Sequence, residues 1–259
     1  MAGRTFFGSH FIGMNITFDK PRSATWTLVK KLNEEYRQLA DFDNTQATSF
    51  AHALFLCRDA ANTNEQALMR IHVQIPRAGS EFELPEERAR QASEEVNWLN
   101  KSELHALELS TAHCCEYLPI LLGFRKGRQE TTGLLPGGYI SYLLMTNMPG
   151  IRLGTNVEED SLFWSLPRTE RDEIREAFKV AYRDVLTIGI CPEFPGLKNL
   201  LWEKQSKKIY IVDFQASEVE QNMAWRNSMW AGWGLATPPE TSRWYEVQYD
   251  DTDMSEWKL

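Results

Sequence analysis

Long apolar runs are missing from the 259-residue chain. None approaches the ~18 residues of a membrane-spanning helix, which argues against a membrane protein. The opening MAGRTFFGSHFIGMN lacks an apolar signal segment, so the expectation is a cytoplasmic location. Cysteine is scarce. Cys57, Cys114, Cys115 and Cys191 show no C-x-x-C pairing and no zinc spacing, and the adjacency of Cys114 and Cys115 disfavours a mutual bridge. Reduced thiols are therefore expected. Excess positive charge is absent too: the net charge of -8 argues against the broad basic face that nucleic-acid binding requires. The five histidines form no H-E-x-x-H or other ligand pattern, and there is no G-x-S-x-G elbow, P-loop or dinucleotide fingerprint.

Tryptophan, by contrast, is abundant. Five of the nine, Trp225, Trp230, Trp233, Trp244 and Trp257, fall in the last 35 residues. Aromatics at that density anchor a loop-rich segment onto a core, each burying a large area. The acidic run YDDTDMSEW between them reads as a solvated tail.

Pattern gives the coarse organisation. SATWTLVKKLNEEYRQLADF, with Ser23 as cap, has apolar residues at near-helical spacing and predicts a helix. ATSFAHALFLCRD and EQALMRIHVQIPR predict two strands joined by DAANTN. Alternation in the second places Met69, Ile71, Val73 and Ile75 on one face and Arg70, His72 and Gln74 on a polar one. LPEERARQASEEVNWLN predicts a charged helix, and NKSELHALELSTAH another, capped by Ser102 with Glu103 in its first turn. LPILLGF and YISYLLM predict buried strands, with a turn at Pro136-Gly137-Gly138 between them. LPRTERDEIREAFKVAYRDVLTIG is the clearest helix, with Ile174, Phe178, Ala181 and Val185 on one face and Gly189 at its stop. A loop and a hairpin follow, with KKIYIVDF as the last strand.

This order of elements resembles the protein-kinase-like fold. In detail it is similar to small kinase-like proteins of filamentous fungi, related to aminoglycoside and choline phosphotransferases. The phrases that carry the likeness are ALMRIHVQIP, ELHAL, LPGGYISYLLM, MPGIRL, and KNLLW followed by IYIVDF. The resemblance implies a two-lobed α+β fold. Residues 1–145 would be a strand-rich N-terminal lobe with an extension, and residues 146–259 an abbreviated helical C-terminal lobe, truncated after the DFQ strand. It also implies a ligand, small molecule or protein, in the cleft between lobes.

The resemblance assigns Asn199 and Asp213 to the two magnesium ligands, Asp213 also to catalysis, Arg70 to the lysine that contacts ATP phosphates, and Glu103 to its partner. The backbone around Met145 and Met148 would receive the adenine. Departures are equally specific. Five residues before Asn199, where the catalytic Asp belongs, stands Phe194; Glu193 is the nearest carboxylate and the candidate makeshift base. DFDNTQATSF contains no glycine with which to cover a triphosphate, DFQ replaces DFG, and the chain ends 46 residues after Asp213. Three readings stay open: a weak or atypical phosphotransferase using ATP and Mg²⁺, a pseudokinase-type binding module, and a kinase-shaped fold reused for another transfer reaction such as tRNA-dependent cyclodipeptide synthesis.

Overall fold

The strand Gln66–Gln74 (β4) shows how the first half of the chain is organised. Its odd residues Ala67, Met69, Ile71 and Val73 enter an apolar core with Ala51, Ala53, Phe55, Cys57 and Leu144. Its even residues Arg70, His72 and Gln74 are buried as well. The polar face expected from the alternation is therefore covered rather than solvated, because a helix lies over it.

A computed structural model describes residues 4–21, 23–40, 47–155, 161–220, 223–246 and 248–259. The segment DFDNTQ, the front of the glycine-free stretch, lies outside the described residues. The chain is a mixed α/β protein, rich in strands and with few helices. It divides into two compact units, Met1–Leu104 with Leu121–Asn147, and His105–Ile120 with Met148–Leu259. No helix among the described residues is long and apolar enough to cross a membrane.

The first unit is a six-stranded antiparallel sheet in the order β1-β2-β3-β4-β6-β5, with β1 Asn15–Phe18, β2 Ala24–Arg37, β3 Phe50–Asp59, β5 Leu121–Arg128 and β6 Tyr139–Thr146. The segment beginning at Ser23 is thus a 14-residue strand and not a helix. Trp26 and Leu28 point into the core at period two, but register shifts between Leu28 and Lys30 and between Lys31 and Asn33 break that period. The inserted residues stretch the apolar spacing until it mimics a helix. The charged stretch after Leu84 forms only one short helix, α1 Pro85–Ala89. The next, α2 Trp98–Ala112, begins earlier than Ser102. Asn97 is its cap: Oδ1 accepts the Asn100 N–H at 3.0 Å. Glu103 consequently lies in the second turn.

The second unit is built around α4, Arg168–Thr187, whose Ile174, Phe178, Ala181 and Val185 are fully buried as the pattern predicts. It is flanked by short helices α3 Leu162–Ser165 and α5 Met229–Gly232. A three-stranded sheet runs β10-β9-β7, with β7 Ile151–Arg152, β9 Leu200–Glu203 and β10 Lys208–Ile211. The strand of KKIYIVDF is β10, and beyond it β11 Ser217–Val219 pairs with β8 Ile190–Pro192. Trp230, Trp233 and Trp257 are buried in the core with α4, and Trp225 and Trp244 pack against it. The tryptophan-rich end is core packing.

Gly150 is where β7 is allowed to approach β9. Its φ is +108°, and a Cβ would lie 2.8 Å from the carbonyl carbon and oxygen of Trp202. Both the backbone conformation and the space demand glycine. Gly150→Ala is expected to destabilise the protein by about 2–3 kcal/mol in chemical denaturation; a loss under ~0.5 kcal/mol would show that this approach is not required.

Candidate functional site

The candidate residues fall into two groups, one in each unit. In the first, β4 presents Arg70 and α2 presents Glu103, and the two meet as an ion pair with Nε 2.9 Å from Oε1. Both side chains are nearly inaccessible, 4% and 2% exposed, so the charges face each other in a medium that screens them little. The solvated-strand alternative for Arg70 is thereby excluded. His72, two residues along the same strand face, lies 3.4 Å from the other carboxylate oxygen of Glu103. Its neighbour across the sheet is His52, with ring centroids 5.3 Å apart.

Other polar groups of this layer are hydrogen-bonded too. Asn100 Nδ2 donates to Ser141 Oγ at 2.9 Å, and Asn97 Nδ2 to the Tyr139 hydroxyl at 3.0 Å. Gln74 donates to the Gln91 carbonyl and accepts from the Ser93 N–H. Burial pushes the Tyr139 phenol above its ordinary range. The Asn97 and Asn100 bonds tie the start of α2 to β6, the strand paired with β4, and so help to hold Glu103 against Arg70. Asn100, Ser141 and the two histidines of this layer escaped the sequence reading. Only the shared parity of Arg70 and His72 on β4 hinted at them.

Met145 is buried within β6 between Leu68 and Leu121. Arg70 opposes Leu143, so Met145 lies on the same face of the sheet, one pair further along. Met148 lies past the end of β6, outside the sheet and in the second unit.

In the second unit the β9–β10 hairpin brings the metal candidates together. Leu200 pairs with Ile211, and the Val212 N–H donates to the Asn199 carbonyl at 2.9 Å. Asn199 and Asp213 thus sit at the open end of one hairpin, where strands lie roughly 5 Å apart. Asn199 is buried, and its Nδ2 donates to the Phe194 carbonyl at 3.1 Å. That bond turns the amide nitrogen to the loop and Oδ1, the atom able to ligate a hard cation, away from it. Asp213 has φ +70°, a left-handed conformation that Asp tolerates better than most residues but that still carries strain. Its Oδ1 accepts from Gln215 Nε2 at 2.9 Å. The third position of DFQ is therefore engaged with the carboxylate, a contact the sequence did not suggest.

Glu193 precedes the residue whose carbonyl the Asn199 amide meets. It is exposed, and its backbone N–H donates to the Ala216 carbonyl in an extension of the β8–β11 ladder. The Asn199 amide meets the carbonyl of Phe194, whose own side chain is 61% exposed.

No family model and no curated protein matches the chain. Among solved structures it is similar to the Cydia pomonella granulovirus kinase, at 16% identity and a TM-score of 0.43. The match covers 75% of this chain and 55% of that one, so the chain spans about half the length of the viral kinase.

Proposed function

We propose that the chain is a kinase-like protein with a degenerate phosphotransfer site that binds ATP through Mg²⁺ and transfers phosphate weakly or not at all. One observation supports this reading: the Val212 N–H bonds to the Asn199 carbonyl, so the backbone that carries the buried Asn199 adjoins the residue before the strained Asp213, the two positions that the resemblance assigns to the metal ligands. The donor set suits the ion. Mg²⁺ takes hard oxygen ligands, and it binds through one or two protein groups plus phosphate oxygens rather than through an all-protein cage. No group of three or more His, Cys, Asp or Glu side chains forms such a cage among the described residues. Bound there, the ion would neutralise charge on the phosphates of the nucleotide. Within the first unit, the buried Arg70–Glu103 pair occupies the two positions that the resemblance assigns to the basic residue and its carboxylate partner.

Two features favour binding over turnover. Phe194 cannot accept a hydroxyl proton, and loss of a positioned base typically costs ~10²–10⁴ in rate. Gln215 also occupies one oxygen of Asp213.

Calorimetric titration with ATP, with and without Mg²⁺, tests the proposal. Wild type is expected to bind only with the metal, and Asp213→Ala to weaken that binding by at least ~10-fold. Gln215→Gly, which removes the amide donor, is expected to tighten it. Indifference to both metal and Asp213 would overturn the reading.

A further inference from the structure

A second site lies within the second unit. A cavity of about 580 Å³ opens beside the loop Pro195–Lys198, closed on its other sides by the Gly154–Thr155 segment, Trp164 and the stretch following Ala231. It exceeds the cavities of about 330 and 240 Å³ in the first unit and falls in the range of small-molecule sites. Glycine makes the room. A Cβ on Gly154 would lie 2.7 Å from Leu197 Cβ, so that glycine lets two segments close on each other. Gly196 and Gly232 have nothing within 4 Å of the position a Cβ would take, so both open directly onto vacant space.

The walls specify an occupant. Trp164 supplies an aromatic face, and Leu197, Ala236 and Pro238 supply apolar surface. Lys198 lines the cavity, and its backbone is held by Arg152, which donates to the Lys198 carbonyl. Two more cations sit on the Trp164 indole, the Arg171 guanidinium and Lys258 Nζ, each 4.9 Å from the ring centroid. Arg171 Nε is buried there and makes no hydrogen bond among the described residues. No carboxylate lines the cavity among the described residues. In a protein of net charge -8, one cation lining the cavity and two more stacked on the tryptophan of its wall make a local field that favours anions.

We infer that this cavity binds a small organic anion, a ring or short apolar body bearing a carboxylate or phosphate monoester. The ring packs on Trp164, and the anionic group pairs with Lys198 and the cations on the indole. The inference does not rest on the phosphotransfer proposal, since neither Asn199 nor Asp213 lines the cavity.

Phenyl phosphate is a suitable probe, and phenethylamine, with the same ring and the opposite charge, is its control. Titration of the full chain followed by tryptophan fluorescence and ligand-observed NMR is expected to give a Kd on the order of 1 mM for phenyl phosphate. Phenethylamine is expected not to bind. Gly232→Leu projects a side chain into the cavity and is expected to abolish binding. Lys198→Gln, which leaves the cavity open, should weaken it roughly tenfold. Should Gly232→Leu fail to fold, as judged by its melting transition, Lys198→Gln alone decides. Asp213→Ala should bind phenyl phosphate like wild type. Equal affinity for the amine, no binding of phenyl phosphate, indifference to Lys198→Gln, or loss with Asp213→Ala would each overturn the inference.

Discussion

Glu103→Ala is expected to destabilise the protein by about 3–5 kcal/mol, among the largest single-residue effects available in the first unit. The cost does not come from the attraction that is lost. It comes from what is left behind: the Arg70 guanidinium, 4% exposed, would stay buried without the carboxylate 2.9 Å away. His72 would also lose the oxygen that faces it at 3.4 Å. Glu103→Gln keeps the shape and a hydrogen-bond acceptor while removing the charge, and should fall between wild type and Ala. Chemical denaturation measures all three. A loss below ~1 kcal/mol for Glu103→Ala would show that the pair is solvated in solution.

The double replacement Arg70→Met with Glu103→Leu separates stability from function. Exchanging a buried pair for apolar side chains of similar volume is often neutral or stabilising, because both desolvation penalties disappear together. The fold should therefore survive what Glu103→Ala alone does not. If Arg70 is held for a phosphate, the same double variant should lose affinity for Mg-ATP while keeping wild-type stability. A stable double variant that still bound nucleotide would assign the pair to architecture only.

Some elements were legible because one local signal dominated. Helix α4 combines a four-residue apolar face with a glycine of positive φ at its stop, so nothing distant had to be known to find it. Strand β3 is a nearly unbroken apolar run, β4 alternates from Met69 onward, and the two pair without a register shift. Strand β2 hid because its two irregularities are set by pairing with β3, information that Ala24–Arg37 does not contain. The start of α2 hid for a related reason: Asn97 is a good cap only if the chain turns there, and Ser102 offered the same chemistry five residues later. Among the site residues, Asn199 and Asp213 are 14 apart in sequence and flank a local hairpin, which their spacing had suggested. The anion cavity had no such signature. Its walls come from three segments spread over more than 80 residues, and the glycines and alanines among its lining residues carry no periodic signal.

Trp233→Ala is expected to cost about 3–5 kcal/mol, the counterpart of Glu103→Ala in the second unit. Trp233 is 2% exposed and stands over α4, its ring 5.2 Å from that of Phe178 and 5.3 Å from that of Tyr182. Truncation opens a void that neither neighbour can fill, since Phe178 and Tyr182 are themselves stacked at 5.2 Å. It also removes two aromatic contacts worth roughly 0.5–1.5 kcal/mol each beyond their buried area. Phe at the same position keeps most of the volume and should recover over half the loss. The environment of Tyr182 gives an independent readout, because burial holds its phenol above the ordinary tyrosine range. Opening the void admits water, which lowers the phenol, while loss of the Trp233 hydrogen bond raises it; burial is the larger cause, so Tyr182 should titrate lower in Trp233→Ala than in wild type. Tyr245→Ala, at a ring 70% exposed, is the control and should change stability by less than ~0.5 kcal/mol. If Trp233→Ala proved equally silent, the C-terminal tryptophans would not be core at all, and their clustering would have to serve a ligand.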